Sequence, residues 1–342
     1  MSQLSDLLIT WYSKYKRDLP WRGTQDPYPI WLSEIILQQT QVKQGLPYFN
    51  RFMAAFPTVQ ALADAPEEAV LKQWQGLGYY SRARNLHAAA KRICERHGGV
   101  FPDTYEAVRA LPGIGDYTAA AILSFAFRQP FPVIDGNVFR VVSRINGMTE
   151  PVDTPACRAK IKTFLDTQID RRRPDLFNQA MMEWGALLCQ PGKSAPCLQN
   201  PELCFYHKYC RALRDGLVDR LPVKKAKKAV RERYLHYYYV ARPDGLYLRR
   251  RQANDIWKGL FDLPCVETGS AEAPLPDLPR VKQYTHLLTH QRLHLFFYEA
   301  SHELPPPLDT DGCFPVPPEQ WADYAVPKVI EKFLDFLRKR LR

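Results

Sequence analysis

Residues 111–142, LPGIGDYTAAAILSFAFRQPFPVIDGNVFRVV, decide the reading of the chain. The stretch opens with the turn Leu111-Pro112-Gly113-Ile114-Gly115. Its glycines permit backbone angles that other residues avoid and let a ligand come close to the main chain. A helical pattern follows from Tyr117 to Phe127. The first N–H groups of such a helix have no partner within it, which makes its start a seat for an anion. Ahead of the turn, Asp103-Thr104-Tyr105-Glu106 has the shape of a capping box, with Asp103 as the cap of a short helix. The unit reads helix, hairpin, helix, with a phosphate seat at Gly113 and Gly115. A lone G-x-G would be no more than a turn. Here Pro132-Val133-Ile134 runs into Asp135-Gly136-Asn137, and a new apolar helix begins at Val138. Asp135 occupies a natural N-cap, facing backbone N–H groups and the positive end of the helix. That setting predicts a lowered pKa and an ionised carboxylate at neutral pH. Taken alone, Asp135 is better explained as a plain cap.

A second carboxylate lies upstream, in Ile30-Trp31-Leu32-Ser33-Glu34-Ile35-Ile36-Leu37-Gln38-Gln39-Thr40-Gln41-Val42. Ile30, Glu34 and Leu37 fall at i, i+4 and i+7, so Glu34 sits in an apolar stripe. Burying its charge is costly, which predicts a raised pKa and a protonated carboxyl, the property of a general acid. A boundary glutamate that swings to solvent or pairs with an arginine fits the pattern equally well. Two carboxylates pushed in opposite directions, however, are the signature of an acid–base pair, and Asp135 tilts the balance towards chemistry.

The bulk composition agrees with a polyanionic partner. Lys and Arg number 47 against 36 Asp and Glu, a net charge of +11 over 342 residues. Nucleic acid is the simplest partner for such a chain, with an anionic membrane surface as the competitor. No run of 18 apolar residues occurs, so no transmembrane helix is expected. The N-terminus has Asp6 early and no small-residue cleavage site, unlike a signal peptide. A reducing, cytoplasmic location follows as an expectation, in which the eight cysteines are free or metal-bound rather than paired.

From Leu4 to about Leu213 helical periodicity dominates. Within it, Trp74-Gln75-Gly76-Leu77-Gly78-Tyr79-Tyr80-Ser81-Arg82-Ala83-Arg84 suits a loop that stacks on bases and touches phosphates, or a plain turn into a basic helix. Gln179, in a helical pattern from Phe177 to Ala186, has the groups to bond a purine edge or to cap a packing contact. Cys189, Cys197, Cys204 and Cys210 follow amid Pro, Gly and Lys. Four thiols in one short loop point to a metal or iron–sulfur site, with zinc or an empty site as alternatives. Lys193, Lys208, Arg211 and Arg214 flank them. Residues 217–232 read as a linker with the basic run Lys224-Lys225-Ala226-Lys227-Lys228. From Tyr234 the period changes to that of strands: 234–240, a Pro243-Asp244-Gly245 turn, 246–250, and 294–298 after a Pro-rich loop. An amphipathic helix spans 329–341. No internal repeat is visible.

The glycine turn with its downstream Asp resembles the helix-hairpin-helix DNA glycosylase superfamily. Within it the chain is similar, over nearly its full length, to the adenine DNA glycosylases (MutY type), which remove adenine mispaired with 8-oxoguanine. The resemblance implies an α + α/β multidomain chain. An all-α helix-hairpin-helix glycosylase domain would occupy 1–216, with an iron–sulfur loop at 189–210. A basic linker at 217–232 and a mixed α/β Nudix-like domain at 233–342 would follow. The family's acid lies in W-[LV]-S-E-[IV]-[MI]-L-Q-Q-T, here Trp31 to Thr40, so Glu34 would protonate the leaving adenine. Asp135, in D-G-N-V, would stabilise the oxocarbenium-like sugar, and Asn137 would orient it. Tyr117 stands where bifunctional relatives such as endonuclease III carry a Schiff-base lysine, so strand cleavage would be weak or absent.

The resemblance further implies an adenine pocket of Arg17, Leu19, Trp21, Arg22, Val42, Gln179 and Met182. Gln39 and Tyr79 would wedge into the base stack, and Thr40 would meet 8-oxoguanine. The four cysteines would hold a 4Fe-4S cluster. Their spacing, C-x7-C-x6-C-x5-C, departs from the family's C-x6-C-x2-C-x5-C and demands a bulge between Cys197 and Cys204. In the C-terminal domain, Trp257 to Pro264 matches the Nudix-like core, without the catalytic Nudix box. The family's F-S-H loop reads Leu288-Thr289-His290, keeping the hydroxyl and losing the ring. The implied partner is double-stranded DNA with A:8-oxoguanine or A:G mispairs, bound by a monomer without a membrane. Two other classes compete: a superfamily glycosylase for oxidised pyrimidines or mismatched thymine, and a non-catalytic damage-binding protein. Tyr117 argues against the first, and Glu34 with Asp135 against the second.

Overall fold

The computed structural model describes residues 2–224, 230–240, 245–252, 255–275, 278–300, 308 and 312–340. Lys225 to Lys228 of the expected linker and Pro243-Asp244 of the expected turn lie outside the described residues. The chain forms two compact units. One comprises Met1–Phe49, Phe56–Gln60 and Ala88–Ala226; the other comprises Asn50–Ala55, Ala61–His87 and Lys227–Arg342. The second unit thus takes in pieces of the helical half, which a cut made along the chain cannot express.

Helices follow one another as α1 (Gln3–Tyr15), α2 (Pro27–Leu37), α3 (Val42–Ala55), α4 (Val59–Asp64), α5 (Glu67–Trp74) and α6 (Ser81–His97). Then come α7 (Tyr105–Arg109), α8 (Asp116–Phe127), α9 (Gly136–Asn146), α10 (Pro155–Gln168), α11 (Pro174–Leu187) and α12 (Arg211–Arg214). In α1, Ser2 caps the Ser5 N–H, and Leu4, Leu8 and Tyr12 form the inward stripe. Asp26 caps α2, with Pro27 at its first position, where a missing N–H costs nothing. The helix is buried from Tyr28 to Ile36, so Glu34 is carried inside with its apolar neighbours. Helix α8 is buried from Thr118 to Ala126, which its run of alanines permits.

Leu4, Leu8 and Tyr12 of α1 pack with Val138, Val141 and Val142 of α9, Ile161 and Leu165 of α10, and Phe177, Met181 and Trp184 of α11. A second cluster seats Ile30 of α2 on Ala120, Ala121 and Phe125 of α8. These two clusters fix α2, α8, α9 and α11 around one opening.

The second unit carries strands β1 (Arg231–Tyr239), β2 (Leu246–Arg250), β3 (Phe261–Asp262), β4 (Cys265–Thr268), β5 (Arg280–Leu287), β6 (Gln291–Glu299) and β7 (Cys313–Val316), and helix α13 (Lys328–Arg340). One sheet has the order β4-β1-β6-β5, the other β3-β2-β7. The central pair β1 and β6 is parallel, Arg231 facing Gln291 through to Tyr239 facing Glu299. Its aromatic residues stack across the sheet, Tyr237 on Phe297 at 5.2 Å between ring centres. Phe333 of α13 stacks on Phe297 at 3.9 Å and anchors the helix to the sheet. Strands β5 and β6 meet at a tight turn where the Leu288 N–H meets the Gln291 carbonyl at 2.8 Å. Among the described residues no helix is long and apolar enough to cross a membrane.

Candidate active site

The first unit contains a cavity of about 600 Å³. Glu34 lines it together with Ile30 and Leu37, the apolar neighbours of its own stripe. Its side chain is inside the protein, at 6 % exposure. One strong hydrogen bond reaches it, from the Tyr117 hydroxyl to Oε2 at 2.6 Å. Burial pushes the carboxyl up to about 7; the Tyr117 bond and the Arg22 cation pull the other way, and Asp135 adds to the rise. Burial also holds the Tyr117 hydroxyl well above its ordinary value, so it remains a donor. Glu34 can therefore carry a proton near neutral pH.

Asp135 lines the same cavity from the N-cap of α9. Its Oδ1 accepts from the Val138 N–H at 2.7 Å and its Oδ2 from the Asn137 side-chain amide at 2.9 Å. The cap forms as the sequence predicts, but the expected lowering of its pKa is overturned. Burial raises it, and this outweighs the bonds from Val138 and Asn137 and the charge of Arg140. A carboxylate stripped of water gains more from a new cation than a solvated one does. Asn137 is held in turn: Arg140 Nη2 donates to its Oδ1 at 2.8 Å and to the Gly185 carbonyl at 2.7 Å. A Cβ at Gly185 would stand 2.4 Å from that of Asn137, so only glycine allows α11 to approach α9 this closely.

Arg17, Leu19, Trp21, Arg22, Gln39, Thr40, Val42, Gln179 and Met182 all line the cavity. The Tyr12 hydroxyl donates to Gln179 Oε1 at 2.7 Å, which leaves the amide NH2 without a partner among the described residues and able to donate to a base. Arg17 and Arg22 both bind Glu183, a cavity residue that the sequence reading passed over. Arg140 and Gly185 were also missed. Glu183 follows Met181-Met182 in an apolar run, the signal that singled out Glu34.

The hairpin joins α7 to α8, and Gly113 turns it at a φ of 75°. Gly115 has an ordinary extended backbone and open space around it. The cap of α7 is Thr104, bonded to the Ala107 N–H, so the expected capping box from Asp103 to Glu106 does not form. Thr104 has the shorter, branched side chain that places its oxygen over the third N–H. Tyr79, Thr289 and His290 belong to the second unit. Tyr79 is exposed in the turn between α5 and α6, and Thr289 and His290 are exposed at the tip joining β5 to β6.

Cys189, Cys197, Cys204 and Cys210 line one enclosed cavity with Arg144 and His207. The long Cys197–Cys204 gap is taken up by the 3-10 turn Pro201–Leu203, capped by Asn200, which is the bulge the spacing demands. Arg144 Nη1 lies 3.3 Å from the Cys189 sulfur, and its Nη2 is buried with no partner among the described residues. A sulfur-ligated anionic centre would supply that partner, so the donor set fits an iron–sulfur group. Among the described residues no three His, Cys, Asp or Glu side chains are grouped as a single metal ion requires.

Residues 32–165 match the HhH-GPD superfamily base excision DNA repair protein family, and residues 236–336 match the NUDIX domain. An adenine DNA glycosylase of Buchnera aphidicola is 33 % identical over 299 residues, covering 87 % of this chain and 83 % of its own length. The chain belongs to the adenine DNA glycosylase family. It is a base excision repair DNA glycosylase with a helix-hairpin-helix domain followed by a Nudix-like domain. The human adenine DNA glycosylase is 41 % identical over 214 residues, 60 % of this chain and 38 % of that protein. Among solved structures, a thermostable thymine-DNA glycosylase superposes with a TM-score of 0.54 at 26 % identity, covering 60 % of this chain and 96 % of the other. An endonuclease III–DNA complex matches at a TM-score of 0.52 and 19 % identity, over 62 % of this chain and 94 % of the other, and shows the shared fold.

Proposed function

We propose that this glycosylase hydrolyses the N-glycosidic bond of adenine mispaired with 8-oxoguanine or guanine in double-stranded DNA, without cleaving the strand. The observation that carries the reading is the meeting of Glu34 and Asp135 in the wall of one cavity. Adenine, flipped out of the duplex, enters that cavity, where Gln179 meets its edge and Leu19, Trp21, Val42 and Met182 meet its faces. Glu34 gives its proton to the leaving base. The bond from sugar C1′ to the base nitrogen breaks with its electron pair passing to adenine. Positive charge grows on the sugar, and Asp135, held by Asn137 and the α9 N-terminus, offsets it there. Water adds to C1′ and loses a proton to a carboxylate, which leaves an abasic site. Direct attack of water and a transient Asp135–sugar ester both use these two groups in these places.

Two of the four described non-glycine residues with left-handed backbone are Gln39 (φ 56°) and Tyr79 (φ 49°). Strain of that kind is held at sites of function, and it supports wedge roles for both. Thr40, Thr289 and His290 are the residues we assign to 8-oxoguanine, and Gly113 and Gly115 to the DNA backbone. Cys189, Cys197, Cys204 and Cys210 would hold a 4Fe-4S cluster. When bound, it would cross-link the loop and add a redox-active centre.

Single-turnover adenine release from an A:8-oxoguanine duplex tests the reading, with a thymine-glycol duplex as the comparison. Adenine release with no release of thymine glycol supports it, and the reverse defeats it. Glu34→Gln should slow release by roughly 10²- to 10⁴-fold and leave duplex binding intact. Near wild-type release from that variant would remove Glu34 from the mechanism. Broad absorbance near roughly 410 nm in anaerobically prepared protein checks the cluster.

A further inference from the structure

Glu183 is 1 % exposed, and its two oxygens are crowded with donors. The Arg17 main-chain N–H reaches Oε1 at 2.8 Å, Arg17 Nε reaches it at 2.9 Å, and Arg17 Nη2 reaches Oε2 at 2.6 Å. Arg22 adds Nη1 to Oε1 at 3.1 Å and Nη2 to Oε2 at 2.8 Å. Arg22 Nη1 also donates to the Arg17 carbonyl at 3.0 Å, and its guanidinium lies over the Tyr12 ring at 5.6 Å. Both arginines belong to the non-helical segment between α1 and α2, where the Arg22 N–H closes a turn on the Leu19 carbonyl at 2.9 Å. That segment supplies Arg17, Leu19, Trp21 and Arg22 to the cavity. One carboxylate on a packed helix therefore fixes a whole wall.

We propose that Glu183 is a positioning residue for the glycosidic reaction, locking the 17–22 segment into the cavity wall and offsetting the charge of Arg17 and Arg22 beside the proton donor. The inference rests on the reading of Glu34 as that donor. The groups that bear on Glu34 are Tyr117 from α8, Asp135 from the α9 cap and Arg22 from the segment itself. Those that face Glu183 are Arg17, Arg22 and, across the segment, Tyr12. The Arg22 cation favours loss of the Glu34 proton. Arg17, Arg22 and Glu183 together carry a net +1, and loss of the carboxylate would leave +2 beside Glu34. An uncompensated Arg22 would strip Glu34 of its proton at a lower pH.

The test is the pH dependence of single-turnover adenine release by the full chain, for wild type, Glu183→Gln and Glu183→Gln/Arg22→Met. In Glu183→Gln the alkaline fall in rate should begin about one pH unit lower, making release roughly tenfold slower at about pH 8. Removing the Arg22 charge from that variant should bring the fall back towards its wild-type place. A fall that coincides with wild type in Glu183→Gln overturns the proposal. Should Glu183→Gln fail to fold, Arg22→Met alone must move the fall upward, and an unmoved fall again overturns it. Glu34→Gln, measured alongside, separates the two claims. If it is inactive while Glu183→Gln titrates like wild type, only the role of Glu183 fails. If it keeps its rate, the donor assignment fails first.

Discussion

Helices α2 and α11 each bury a glutamate against the same cavity, and the two end in different charge states: Glu34 holds a proton near neutral pH and Glu183 stays ionised. Glu34 is 6 % exposed and Glu183 1 % exposed, so the loss of water is similar. Glu34 has the Tyr117 hydroxyl as its strong bond, and burial pushes it up to about 7. For Glu183 burial pushes the same way, but the bonds from Arg17 and Arg22 win and hold it down to about 2. Burial alone does not decide the charge of an acid; the number and charge of its donors do. The cavity thus contains one acid that can release a proton and one that cannot take one up.

After Glu34 itself, the largest effect expected from disturbing this arrangement is at Asp135, the third carboxyl of the cavity and a half-buried one. Asp135→Asn keeps the size and the cap but removes the negative charge, and adenine release should drop by roughly 10²- to 10³-fold. Single-turnover kinetics at fixed pH would show it, and a drop of less than about threefold would mean that Asp135 serves α9 only as a cap.

Stability comes next and should split the two glutamates. The folded pKa of Glu34 is raised, so its contribution is fully present below its ordinary value of 4.5 and is lost as pH rises through about 7. Glu34→Gln cannot ionise and should gain stability relative to wild type above about pH 7, by roughly 1–3 kcal/mol. The folded pKa of Glu183 is depressed, so its contribution is present above its ordinary value and is lost as pH falls through about 2. Glu183→Gln leaves two cations without their partner and should cost about 3–5 kcal/mol at neutral pH. Urea unfolding of both variants at about pH 5 and pH 8 reads both signs. If both lose stability by the same amount at both values, the contrast between the helices does not exist.

The smallest effect is expected at Tyr117. Its hydroxyl favours the ionised form of Glu34, so Tyr117→Phe should move the alkaline fall in rate upward by less than about one pH unit. A downward move would show that the hydroxyl serves the protonated acid instead.

Much of this was legible in the sequence, for reasons that are local. Glu34 reads as buried because Ile30 and Leu37 share its helix face, and α2 carries Ile30 and Glu34 inside with Leu37 half-buried at the cavity wall. Asp135 reads as a cap because a helix start is a matter of a few consecutive residues, and the cap is there. Its pKa was misread because burial is set by the packing around the cavity, which no local pattern gives, and it outweighs the local bonds. Glu183 stands in an apolar run like Glu34, but its ion pairs were not legible: Arg17 and Arg22 lie more than a hundred residues away. The parallel pairing of β1 with β6 is likewise long-range, whereas each strand taken singly shows its own period. The turn between Cys197 and Cys204 was demanded by a count of residues, but its 3-10 form and its Asn200 cap were not.

The central claim is that Glu34 holds a proton near neutral pH and gives it to the departing base. The most direct measurement is the wild-type rate constant for adenine release from an A:8-oxoguanine duplex, in single turnover, from about pH 5 to pH 9. The account predicts a rate that falls about tenfold per pH unit once pH passes the Glu34 value of about 7. A rate that stays level to about pH 9, or rises through that range, would contradict it.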